Sequence, residues 1–363
     1  MGKIIKSMGI YSICHFIVDF VSCIFVLGVV SNFCFDENGL FSNDIYILEV
    51  ILYNFFAFAF QVPMGFIMDK LKLYKYVGIL GFLIIGICYI WGFGNPIILS
   101  SLVGIGNGLF HLEGGVNAFE NSKGKAFLNG FFVAPGTWGI FFGTFFHSQL
   151  AITWVPLILI GLAIILLLFV QRDKVEYVES EQKKIKESGR MFRIHEILSI
   201  VLLIGVSIIV RSIGGGAIKY TWKPANLLWI GIMYTGFVFL GKMLGGFIGD
   251  RIGLKKTALG ALILACISLL IGFNVPTFGY LGIFLFNIPM SITLLLLEKC
   301  NTKYLATMVG SNTLFLFLGY LICLNPITFN NYAVLIISII LAVISIFLAF
   351  RIYEKGEKNE KNN

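Results

Sequence analysis

Few residues of this chain could do chemistry, and most of those lie inside stretches too apolar to meet water. His15 and Asp19 stand four apart, which puts an imidazole and a carboxylate on one face of a helix. Such a pair can hold a proton or release it as its surroundings change from dry to wet; the plainer alternative is a structural pair tying two helices together. His111 and Glu113 are two apart, so an ideal helix sends them to nearly opposite faces unless Gly114-Gly115 loosens it. Asn107 shares a face with His111, and Asn117 shares one with Glu113. One face is expected to meet a cavity and the other a neighbouring helix, with Glu113 either a proton carrier or a packing group. Arg211, just before Gly214-Gly215-Gly216, offers a planar fork to carboxylate or phosphate, or else snorkels to the surface. Lys242 sits two turns before Asp250, a place from which snorkelling outranks ligand contact.

The elements that carry these groups are membrane helices. Apolar residues make up 58% of the 363 and charged residues 13%, mean hydropathy is +0.91, and the chain holds 36 Phe and 40 Gly. Its apolar runs are continuous for about 20 residues rather than alternating, which excludes a membrane barrel. Turn signals such as Asn95-Pro96, Lys123-Gly124-Lys125, Asn274-Val275-Pro276 and Asn325-Pro326 divide it into twelve expected spans. They are 7–31, 44–68, 77–94, 96–118, 124–147, 151–171, 194–216, 226–249, 257–275, 277–297, 303–325 and 331–351.

Charge placement fits that count. With the N-terminus inside, all but four of the 27 bases fall in inner connections or tails. Of the exceptions, Lys219 and Lys223 lie in one outer connection, and Arg211 and Lys242 lie within spans. Both termini are therefore expected on the cytoplasmic side of the inner membrane, and the net charge of +8 reflects topology, not nucleic-acid binding. The seven cysteines form no CxxC pair, so no disulfide framework and no metal site is expected, and no cofactor. Lys3 and Lys6 precede a first apolar run too long for a cleaved signal peptide.

The chain also repeats itself. Gly246-Phe247-Ile248-Gly249-Asp250-Arg251-Ile252-Gly253-Leu254-Lys255-Lys256 has a counterpart 181 residues earlier, from Gly65 through Asp69 and Lys70 to Lys75, with six of the eleven positions identical. The same offset maps the first six spans onto the last six. The expected domains are a bundle 1–171, a charged linker 172–193, a second bundle 194–351 and a tail 352–363. The duplication is chemically lopsided. Asp19, His111 and Glu113 correspond to Ile200, Ile292 and Leu294, whereas Arg211 and Lys242 correspond to Val30 and Gln61.

With this repeated Gly-x-x-x-Asp-(Arg/Lys) signature, twelve spans and a charged central linker, the chain resembles the major facilitator superfamily along essentially its whole length. The first copy departs from the pattern at Lys72, where a second Gly stands in the family. A narrower likeness, to fosmidomycin-resistance-like transporters, rests on His15-x-x-x-Asp19, on Gly104-x-Gly106-Asn107-x-x-Phe110-His111-x-Glu113 and on Arg211-Ser212, with Leu112 in place of an expected Pro. Pro135-Gly136-x-x-Gly139-x-x-x-Gly143 is similar to the Pro/Gly packing motif of antiporters in the superfamily.

The resemblance implies an all-α fold of two six-helix bundles whose spans 1, 4, 7 and 10 line a central cavity. It also implies that the Gly65/Asp69/Lys70 and Gly246/Asp250/Arg251 loops latch the cytoplasmic side. The expected function is secondary transport of a small organic solute, an anionic one among the candidates, by a monomer that exports it by proton antiport. Proton-linked uptake is the alternative, and a non-transporting membrane sensor or a membrane enzyme is the alternative of another class. No Gly-x-x-x-x-Gly-Lys-(Ser/Thr) loop supports an ATP-driven pump, and no clustered nucleophile supports a membrane enzyme.

Overall fold

The computed structural model describes residues 2–35, 40–91, 95–171, 192–216, 220, 227–324 and 330–361. The turn expected at 36–39, most of the linker (172–191), Lys219 and Lys223, and the Asn325-Pro326 turn lie outside the described residues.

Twelve long helical segments follow one another: α1 (Ile4–Cys34), α2 (Asn43–Leu71), α3 (Val77–Trp91), α4 (Pro96–Ser122), α5 (Ala126–Leu150), α6 (Val155–Val170), α7 (Ile194–Gly215), α8 (Leu228–Ile252), α9 (Leu254–Gly272), α10 (Pro276–Cys300), α11 (Leu305–Leu324) and α12 (Asn331–Gly356). Ten of them are long and apolar enough to cross a bilayer, while α3 and α6 are shorter apolar helices. Each overlaps the span expected from sequence. The boundaries have local causes. Asn95 caps α4 by accepting from the Ile97 amide at 2.9 Å, and Pro96 follows at a position whose missing N–H costs nothing. Lys123 (φ 49°) and Gly124 (φ 75°) turn the chain out of α4 through left-handed backbone.

The two signature loops differ at this level. Gly253 takes φ 111°, a conformation closed to residues with a Cβ. Its counterpart Lys72 ends α2 at φ 55°, ψ 34°, within the small left-handed region that a side chain tolerates. The departure from the family pattern therefore costs strain but not the turn.

Two apolar cores form. One draws only on residues between Met8 and Val170. The other is built mainly from residues between Ile200 and Tyr353, joined by Met68, Leu112, Val116, Phe119 and Ala126 from the first half. The halves meet where α5 runs along α8 and α2 along α11. Several helices depart from regular α geometry. α1 passes through a π segment at Phe25–Val29, α2 through another at Phe55–Ala59, and α10 is interrupted ahead of Pro289.

Candidate functional site

A cavity of about 120 Å³ lies between the halves, lined by His15 and Asp19 of α1, His111 of α4, Thr137 of α5, Lys242 of α8 and Asn312 of α11 among others. Its centre of charge is a trio. His15 Nε2 stands 3.3 Å from Asp19 Oδ2, His111 Nε2 stands 3.6 Å from Asp19 Oδ1, and the two Nε2 atoms face each other at 3.0 Å. All three side chains are buried.

The backbone fixes the tautomers. His15 Nδ1 lies 2.8 Å from the Phe132 carbonyl oxygen and His111 Nδ1 lies 3.0 Å from that of Asn107. A carbonyl oxygen only accepts, so each Nδ1 carries a proton and donates it. In the neutral rings both Nε2 atoms are then bare lone pairs, aimed at each other and at a carboxylate. Three acceptors converge without a donor among them. Asn107 Nδ2 relieves part of this by donating to Asp19 Oδ1 at 3.2 Å and to Ser22 Oγ at 3.3 Å. A proton or another cation between the three would satisfy the remainder, and Lys242, which interacts electrostatically with Asp19 in the same cavity, offsets part of the carboxylate's charge.

The Pro/Gly motif of α5 builds this geometry. Pro135 has no N–H, which leaves the Phe131 carbonyl without its helical donor; Ser12 Oγ of α1 supplies one at 3.0 Å. One residue on, the Phe132 carbonyl receives His15. A Cβ at Gly136 would overlap both His15 Nε2 and Asp19 Oδ2. Gly139 and Gly143 admit α1 in the same manner, against the Phe16 and Phe20 backbone.

Other expected residues lie elsewhere. Glu113 does not line the cavity: its carboxylate accepts from Tyr11 Oη and, at 2.8 Å, from the Gly78 amide, which ties α4 to α1 and α3. Glu49 is fully buried as well and accepts from Ser100 Oγ at 2.8 Å. Arg211 is also buried away from the cavity, its guanidinium 5.7 Å from the Phe286 ring centre and its Nε without a partner among the described residues. No described residue of α7 lines the cavity; α2, α5, α8 and α11 contribute beside α1, α4 and α10. Lys242, expected to snorkel, instead lines the cavity and donates from Nζ to Thr137 Oγ1 at 2.8 Å, joining the two halves.

The signature aspartates act across the halves, and symmetrically. Asp69 of α2 accepts from the Ala306 and Thr307 amides (3.0 and 2.8 Å) and from Thr307 Oγ1 (2.6 Å), capping the start of α11. Asp250 of α8 accepts from the Ala126 and Phe127 amides (2.8 and 3.0 Å), capping the start of α5. A carboxylate at a helix N-terminus meets unpaired amides and the positive end of the macrodipole. Gly65 and Gly246 make the approach possible, since a Cβ at either would overlap the backbone at Ala306 or at Ala126. The bases that follow each aspartate turn to aromatic rings instead. Lys70 stacks over Phe66 at 4.7 Å and Arg251 over Phe247 at 3.8 Å.

Tyr74 supports Asp69 Oδ1 at 2.9 Å. Burial, and then the adjoining Asp69 carboxylate, push its hydroxyl well above the usual phenol range, so it remains a donor. At the same end Glu298 of α10 accepts from Ser122 Oγ at 2.5 Å and Asn129 Nδ2 at 3.1 Å. Sequence reasoning did not single out Glu298, Tyr11, Ser22 or Thr137. The only available signal was a carboxylate just before the basic Lys299, which reads as surface.

The sequence matches no family model and no curated protein. Among solved structures, a major facilitator superfamily transporter, FucP, crystallised in the outward conformation, matches with a TM-score of 0.66 over 96% of this chain and 99% of that one, at 14% identity. The chain has the major facilitator fold, an all-α membrane architecture of two pseudo-symmetric six-helix bundles.

Proposed function

We propose that the protein is a secondary active transporter that moves a small solute across the cytoplasmic membrane by alternating access. The observation that carries this reading is the reciprocal capping at one end of the molecule: each half closes on the other through an aspartate and a helix N-terminus. Such contacts are strong when made and leave nothing covalent to break, which suits an interface that must open and close. They sit at the base-rich end, the cytoplasmic end by the placement of Lys and Arg.

The central cavity is the alternately exposed site. Its coupling ion is a proton shared among Asp19, His15 and His111, and Lys242 meets an anionic group of the solute. The exchange runs as export against inward proton flow. The antiporter-like Pro135-Gly136 segment supports this direction, as does the likeness of the His15, Asp19, Asn107 and His111 segments to fosmidomycin-resistance-like transporters. The bundles 1–171 and 194–351 are the rocking bodies of a monomer whose termini both face the cytoplasm.

The test is flux in proteoliposomes under an imposed pH gradient, inside-out and right-side-out. Gradient-driven solute movement that Asp19→Asn abolishes supports the reading. Flux indifferent to the gradient, or unchanged in Asp19→Asn, overturns the coupling assignment, and flux in the same direction as the protons makes it a symporter.

A further inference from the structure

We propose that the trio of His15, His111 and Asp19 is a binding site for a divalent transition-metal ion of the zinc, cobalt and nickel class. The inference deepens the transport reading by naming the class of solute, and it rests on that reading only where it calls the ion cargo.

The donor set has the form such ions select: two imidazole nitrogens and one carboxylate. The two Nε2 atoms are 3.0 Å apart and each faces a different Asp19 oxygen, His15 at 3.3 Å from Oδ2 and His111 at 3.6 Å from Oδ1. One ligand atom from each residue lies within 4.8 Å of the other two. Atoms bound at ~2.1 Å to one ion stand ~3.0 Å apart at octahedral angles and ~3.4 Å at tetrahedral ones. The trio is therefore spaced to share an ion, with the carboxylate presenting one oxygen toward each imidazole. The tautomers are set as well, since both rings present Nε2 and donate Nδ1–H to a backbone carbonyl, the outer-shell bond that orients a ligating histidine. Asn107 performs the same service for Asp19. Gly136 lets α5 pack directly against these ligand atoms, since a Cβ there would overlap His15 Nε2 and Asp19 Oδ2.

His15, Asp19 and His111 all line the cavity, so further coordination positions would face into it. Its size, about 120 Å³, suits an ion with small companions and falls below the ~300–1,000 Å³ of drug-sized sites. Lys242 lines the same cavity, and its ammonium fits an anionic companion, a carboxylate or phosphate oxygen that completes the ion's shell. A hard cation such as magnesium is disfavoured by the imidazoles.

The chain has four histidines, and His147 and His195 are the two outside the cavity. The experiment uses the full chain, purified in detergent, in a His147→Gln/His195→Gln background without a histidine tag. Cobalt titration should give one equivalent of bound ion with a visible d–d band, displaced by zinc and not by magnesium. His111→Gln and Asp19→Asn should each weaken binding by more than the ~10–100-fold that loss of an outer-shell partner costs. His111→Cys should add a near-ultraviolet sulfur-to-cobalt charge-transfer band that the background protein, with the chain's seven native cysteines, lacks, measured on variant protein that elutes as a monodisperse folded species.

Absence of binding in the background protein, an unchanged titration in His111→Gln, or no new band in His111→Cys overturns the site. Proton-driven flux of another solute without metal binding removes only this proposal. Metal binding without any flux removes the transport reading and leaves the site standing.

Discussion

Asp19 is held by Asn107, His15 and His111, and its chemistry depends on what lies between their lone pairs. Replacing it with Asn supplies a donor where a proton or another cation would otherwise sit, so Asp19→Asn should fold normally and lose gradient coupling, measured as flux with and without a pH gradient. Glu113 is expected to behave in the opposite way. Glu113→Ala removes the acceptor shared by the buried Tyr11 hydroxyl and the Gly78 amide, at a cost of ~1–3 kcal/mol for the buried amide alone. The unfolding midpoint in detergent should fall, while the coupling ratio of the surviving protein stays as in the wild type. A lost coupling ratio in Glu113→Ala would return that residue to the proton path. The i,i+4 spacing makes the His15–Asp19 face legible from the chain alone. Tyr11 is not legible there as the partner of Glu113, because the two are 102 residues apart and only the packing of α1 on α4 brings them together.

Among the elements, α5 decides the most. It lies along both α1 and α8, and its Pro135 and Gly136 set the shape of the cavity wall. Pro135→Ala restores an N–H to the Phe131 carbonyl, which then competes with Ser12. The helix should become more stable on its own and hold His15 less well, seen as a smaller maximal transport rate without loss of thermal stability. Gly136→Ala places a methyl group against His15 and Asp19, and transport should fall at least ~10-fold, since displacing a reacting group by a fraction of an ångström is costly. The composition of α5 announced close packing, but not which helix it would meet. α7 shows the reverse error: family likeness placed it on the cavity, whereas Arg211 stacks on Phe286 of α10 inside the second core.

At the scale of the molecule, the closed end is a balance of two symmetric caps. Across the halves Asp250 accepts two charge-assisted bonds and Asp69 three, with a fourth from Tyr74 of its own half, each worth ~1.5–3 kcal/mol net of the competition of water. Asp69→Asn or Asp250→Asn should shift the population toward the form open at this end by ~10-fold or more, and the double variant should shift it further, nearly additively, because the caps share no partner. Pairs of spin labels across α2–α11 and α5–α8 report the distance directly. A distribution unchanged in both variants would show that the caps do not set the balance.

The sequence by itself determined the twelve helices, their duplication and the residues at the signature loops. These follow from the run lengths of apolar side chains and from the 181-residue repeat, which are properties of the chain read locally or against itself. Tertiary structure alone decided which helix each aspartate caps, that Lys242 faces the cavity and Glu113 does not, and that two histidines and a carboxylate turn their lone pairs to one point. Those outcomes depend on the rotation of each helix about its axis. That rotation is set by glycine contacts and carbonyl partners more than a hundred residues away, which no local pattern encodes.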